Sequence, residues 1–155
     1  MPLLLLCFLI GCVTGLRSLT GPAVVSWGAR LGWLNFAGTK LAFLSSSAAV
    51  VIFTVLALAE LVADKLPNTP PRTAPLGLIP RILLGSCCAI ALATSAGGSV
   101  LIAALLGVAG ALVGTYGGYN LRRTLVSKSH LPGLVVAFAE DAVAIAAGLL
   151  IVSHV

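Results

Sequence analysis

The chain has very little charge. Only four of its 155 residues are acidic and nine are Lys or Arg, 8% charged in all, where an ordinary soluble domain carries about 25%. So little polar material cannot clothe a soluble fold of this size. Histidine is also scarce. His130 and His154 have no second nitrogen or sulfur donor near them in sequence, so no zinc spacing is present. The four cysteines, Cys7, Cys12, Cys87 and Cys88, form no CxxC pair. Adjacent Cys87 and Cys88 diverge by about 100° on a helix, and all four read as small buried hydrophobes. Aromatic residues are not interleaved with the basic ones, so the net charge of +5 does not indicate nucleic-acid binding. Basic residues near the ends of apolar runs fit membrane topology instead. No GxSxG, HExxH, P-loop or dinucleotide motif occurs, and no cofactor, metal site or serine nucleophile is expected.

What remains is apolar: 59% of the residues are hydrophobic and the mean hydropathy is +1.15. Apolar runs long enough to cross a bilayer core of about 30 Å fall at about 41–64, 78–96, 99–121 and 133–153. Pro80 is expected in the first turn of the second run, with Pro132 just ahead of the fourth, where proline is tolerated. Residues 2–33 are apolar too, but Gly15, Gly21 and Pro22 interrupt them, which predicts a break. Either this is one broken, tilted helix or a hairpin of 2–16 and 22–33. Irregular backbone at membrane depth is tolerated only under a cover of protein or water, so Arg17-Ser18-Leu19-Thr20 marks a place to watch. Leu9-Ile10-Gly11-Cys12 has the look of a lipoprotein cleavage box, but no Lys or Arg precedes Arg17, which argues against a cleaved signal. The fold class is therefore all-α: one integral membrane domain over 1–155, a polytopic transmembrane bundle of four spans plus a broken or hairpin N-terminal segment.

The loops predict an orientation. Lys65, Arg72 and Arg81 belong to 65–81, and Arg122, Arg123 and Lys128 to 122–132. Two spans separate these loops, so they share a face, and the positive-inside rule puts that face in the cytoplasm and the C-terminus outside. Loop 65–81 also holds Pro67, Pro70, Pro71 and Pro75. It reads as a stiff connector or, alternatively, as a docking segment for a partner. Gly107, Gly110, Gly114 and Gly118 stripe the third run, allowing close helix packing either within the chain or between copies in a homo-oligomer.

The four carboxylates then fall at one depth. Glu60 and Asp64 end the first run and share a helix face; Glu140 and Asp141 lie near the second turn of the fourth and diverge. Asp64 beside Lys65 reads as an interface pair. Glu140 is expected inside, where a carboxylate costs up to about 3 kcal/mol and must find a partner or hold a proton. The candidate counter-charges are Arg17, Arg81, Arg122 and Arg123. A faint echo links Ala57-Leu58-Ala59-Glu60 with Ala137-Phe138-Ala139-Glu140, but unequal spacing from the preceding arginines argues against a duplication.

GLRSLTGPAVVSWGARLGWL, then AELVADKLPNTPPRT followed by Arg81 and Gly85, and finally EDAVAI together resemble a family of small bacterial membrane proteins known as domain of unknown function 4126. The resemblance spans nearly the whole chain. It implies a multi-span inner-membrane protein in contact with the lipid bilayer. It marks Arg17, Glu60, Asp64, Lys65, Arg72, Arg81, Glu140 and Asp141 as motif positions and assigns them no roles. Three functions are open. The first is a small permease or channel-like protein for an ion or small polar solute, with Glu60 and Glu140 lining a cavity and Arg17 and Arg81 opposing them. The second is a structural or accessory protein held by ion pairs. The third is an intramembrane enzyme or lipid binder that uses the paired carboxylates with a divalent metal.

Overall fold

The computed structural model describes residues 2–65, 73–129 and 132–155. Arg72, Pro67, Pro70, Pro71, His130 and the side chain of Lys128 lie outside the described part. Among the described residues six α-helices follow in order: α1 (Leu3–Leu16), α2 (Thr20–Arg30), α3 (Ser47–Ala63), α4 (Pro75–Ala96), α5 (Val100–Ser129) and α6 (Gly133–Ser153), with a short 3-10 turn at Ala42–Ser45 before α3. The bundle is entirely helical among the described residues. Its last three helices are each long and apolar enough to cross a membrane.

The N-terminal segment is a hairpin. Leu3 reaches Gly98 and Thr14 reaches Gly85, so α1 runs antiparallel to α4. The chain turns at Arg17–Leu19, and α2 goes back: Ser18 and Leu19 meet Glu60, while Trp27 Nε1 donates to Thr54 Oγ1 at 3.0 Å. Val24 and Val152 lie beside Gly148 and Gly28, so α2 runs parallel to α6. With 14 and 11 residues, α1 and α2 extend only about 21 and 17 Å, too short to cross a 30 Å core. They enter from one end and meet inside the protein. A Schellman motif closes α2: Gly32 has φ +81, and the Trp33 N–H donates to the Gly28 carbonyl at 2.9 Å.

Three boundaries differ from the sequence reading. The run at 41–64 is not one 24-residue helix, because Ser46 caps α3 by accepting from the Ala49 N–H at 3.1 Å. α4 begins at Pro75, so Pro80 sits inside the helix and not in its first turn. The helical part of 65–81 removes Arg81 from any loop, and α5 carries Arg122 and Arg123 down to Ser129. The turn at Ala96–Ser99 is as expected, with Gly97 left-handed at φ +69. Of the two glutamates in the echo, Glu60 lies near the end of α3 and Glu140 near the start of α6.

Glycine decides the tightest packing. A Cβ on Gly110 would strike the Phe8 carbonyl, one on Gly114 the Cys12 backbone at 2.9 Å, and one on Gly107 the Gly85 carbonyl at 2.5 Å. Gly11 and Gly15 on α1 face α5 in return. The stripe is consumed within the chain, between α5, α1 and α4, and is not presented to a second copy. Cys7 and Cys88 are buried as expected, whereas Cys87 is exposed on the outer face of α4 and Cys12 is half-buried.

Candidate functional site

The turn between α1 and α2 delivers Arg17 to the middle of the bundle with 0% exposure. Its guanidinium lies between two carboxylates from different helices. Nη1 pairs with Asp64 Oδ2 at the end of α3, and Nη2 lies 2.5 Å from Asp141 Oδ1 on α6. Asp141 uses its other oxygen, Oδ2, to accept from Lys65 Nζ at 2.9 Å. Lys65 also donates to the Leu61 carbonyl and sits 4.4 Å over the Phe138 ring.

Beside this chain of charges is a second one. Glu60 accepts from the Ser18 N–H at 2.9 Å, the Ser18 hydroxyl at 2.5 Å and the Leu19 N–H at 2.8 Å. It thereby holds the turn that leads into α2, accepting from two backbone N–H groups just ahead of the helix and facing its positive end. Arg81 Nη2 stands 3.8 Å from the same carboxylate and Nη1 donates to the Gly77 carbonyl at 2.6 Å. Both strands of the network meet at the break between the two half-helices. Counting from the ends of α4 and α6, residues 81 and 141 lie about 9–12 Å inside the bundle.

This arrangement corrects the expected pairing. Asp141 is buried at 5% exposure, and it, not Glu140, faces Arg17. The helical phase explains why: Ala137, Asp141, Ala144 and Gly148 form one buried face of α6, and a stripe of small residues marks where another backbone comes close. Asp64 pairs with Arg17 rather than its neighbour Lys65, and Lys65 is drawn inward as a ligand of Asp141. Glu140 is half-buried beside Gly118 and lines an apolar groove between α5 and α6 together with Leu16 and Arg122. The structure thus brings together Arg17, Glu60, Asp64, Asp141 and Arg81, adds Lys65 and Ser18, and leaves Glu140 and Arg122 to one side.

Fold and site together define a multi-pass helical membrane protein with a broken N-terminal hairpin sealed by buried ion pairs, its outer surface in contact with lipid. The sequence model of the family described as Domain of unknown function (DUF4126) matches residues 4–154, and the chain belongs to that family. No curated protein and no solved structure matches it.

Proposed function

We propose that the protein is a small permease or channel-like transporter of an ion or small polar solute, with the Arg17–Asp64–Asp141–Lys65 chain as its gate. One observation carries this reading: two half-length helices meet inside the bundle at an arginine held between aspartates from two other helices. Half-helices that end inside a bundle are a known way to place charged groups on a membrane pathway, and ionisable residues there are expensive enough to suggest a function. An ion entering the break competes with Arg17 or Lys65 for Asp141, and the exchange of partners opens the turn. Asp141 replaces Glu140 as the central carboxylate of this mechanism. The protein resides in a bacterial inner membrane, with the end bearing Arg122, Arg123 and Lys128 in the cytoplasm and the C-terminus outside.

The test is charge movement in proteoliposomes after jumps of Na⁺, K⁺, Cl⁻ or pH. Wild type should give a current for one of these, and Asp141→Asn should abolish it while elution volume and helicity are unchanged. A current undiminished in the variant removes the reading.

A specific observation favours a second function. Among the described residues, the ion pairs of Arg17, Lys65 and Arg81 with Glu60, Asp64 and Asp141 tie α1, α3, α4 and α6 to one another, as a static clamp would. The protein is then an accessory or structural membrane component, and segment 65–81 docks a partner. In that case no ion jump yields a current, and deletion within 66–74 abolishes partner capture without lowering thermal stability.

A further inference from the structure

The flank of α6 away from the ion network is poorly covered. A groove of about 260 Å³ opens between α5 and α6 at the end where the basic residues lie, lined by Leu121, Val135 and Ala139. A second hollow of about 390 Å³ lies between α1 and α6 toward the other end, lined by Leu9, Cys12 and Leu150. Leu16 lines both, so the two hollows adjoin at that side chain and follow one another along α6 as a furrow. From Val135 to Leu150 it runs about 23 Å along α6, comparable with a lipid acyl chain stretched across most of one leaflet. Its walls are almost wholly apolar, with one cationic exception. Arg122, half-buried, faces the groove near its mouth and is without a hydrogen bond or ion pair among the described residues.

We propose that this furrow holds one glycerophospholipid, with an acyl chain along α6 and the phosphodiester on Arg122. The occupant follows from the chemistry. The furrow opens sideways to the bilayer, so the molecule that reaches it is a lipid. An apolar trough accepts a chain of methylenes through area burial. A guanidinium at the mouth binds phosphate through parallel N–H donors. Glu140 lines the same mouth, but its Oε2 is buried in the protein, so the outward-facing charge is that of Arg122.

Native mass spectrometry of the full-length protein, released from a mild detergent, tests this with two probes. These are phosphatidylglycerol and a diacylglycerol with the same chains. Wild type should retain one phosphatidylglycerol and little diacylglycerol. Arg122→Gln should weaken phosphatidylglycerol retention about tenfold. Ala139→Phe, which fills the groove from an exposed position, should weaken retention with Arg122 intact. Arg123→Gln, on the neighbouring exposed position, should leave it unchanged, as should added inorganic phosphate. Retention by Arg122→Gln equal to wild type overturns the proposal, as does equal retention of diacylglycerol. A loss as large in Arg123→Gln, or displacement by free phosphate, overturns it as well. Neither the transport reading nor the clamp reading depends on the outcome, since Arg122 lies outside the ion network.

Discussion

The bundle is held together in two different ways. α1, α4 and α5 are joined backbone to backbone through Gly11, Gly15, Gly85, Gly107, Gly110 and Gly114. α2, α3 and α6 lack such a backbone seam: Gly28 and Gly148 meet the side chains of Val152 and Val24, and a hollow of about 340 Å³ lined by Thr20, Trp27, Leu58 and Leu149 lies among the three helices. What ties the second group to the first is charge. Arg17 at the end of α1 and Arg81 on α4 belong to the glycine-packed trio, while Glu60, Asp64, Lys65 and Asp141 come from α3 and α6. The cations of one group hold the net negative charge of the other. The contrast carries a lesson about work done inside a membrane. Without a hydrophobic force between helices, a fixed scaffold needs shape and a movable part needs a contact that can be exchanged.

Breaking the scaffold should cost most. Gly110→Leu places a side chain against the Phe8 carbonyl and the Cys12 amide, and backbone cannot yield as a side-chain tip can. Loss of folded protein is expected, a destabilisation beyond about 5 kcal/mol. Gly117→Ala, one residue away from Gly118, meets nothing within 4 Å and should gain up to about 1 kcal/mol from helix propensity. Thermal melting in detergent distinguishes the two. If Gly110→Leu melts like wild type, the seam is not what joins these helices.

Breaking the electrostatic tie comes next. Arg17→Gln leaves Asp64 and Asp141 facing each other with one cation removed, and loss of a buried partner costs about 3–5 kcal/mol. Adding Asp64→Asn restores the charge balance and leaves the Asp141–Lys65 pair in place, so the double variant should recover at least half of the lost stability. Denaturant titration of Arg17→Gln, Asp64→Asn and the double variant gives the coupling; strict additivity would mean that the pair contributes nothing as a pair. A smaller effect is expected at Glu60→Gln. The amide keeps one acceptor for the turn but loses the charge at the start of α2, a change of about 1–2 kcal/mol. Amide hydrogen exchange should rise at residues 18–20 before it rises anywhere in α5.

Much of this was legible in the sequence. The shortage of charge pointed to the class, and the glycines and proline at 15–22 predicted a break, because a half-helix needs a stop that glycine and proline provide; they did not choose between a broken helix and the hairpin that forms. Arg17, Glu60, Asp64, Arg81 and Asp141 stood out for the simple reason that charge in an apolar run is rare. The choice between Glu140 and Asp141 turned on a rotation of about 100°, which overall hydropathy cannot reveal; the small residues Ala137, Ala144 and Gly148 at helical spacing carried it. Arg81 and Lys65 looked like loop charges because a proline-rich stretch separates them, yet α4 begins at Pro75, where proline suits a first turn. The partner helices of the glycine stripe depended on the hairpin. Only once α1 is known to be a half-helix alongside α5 do Gly11 and Gly15 become the matching surface.

The finest test of the comparison lies at the loose side. Trp27 donates its indole N–H to Thr54 Oγ1 across α2 and α3, on a face open to lipid. If the second group is held mainly by charge, this bond should matter little, because interhelical hydrogen bonds in membranes average about 0.6 kcal/mol. Thr54→Val keeps the shape and removes the acceptor. It should lower stability by about that amount and leave the ion network's coupling energy, measured with Arg17→Gln and Asp64→Asn, unchanged. A loss several times larger would make Trp27–Thr54 a principal tie between α2 and α3, and the division into a shape-locked half and a charge-locked half would have to be redrawn there.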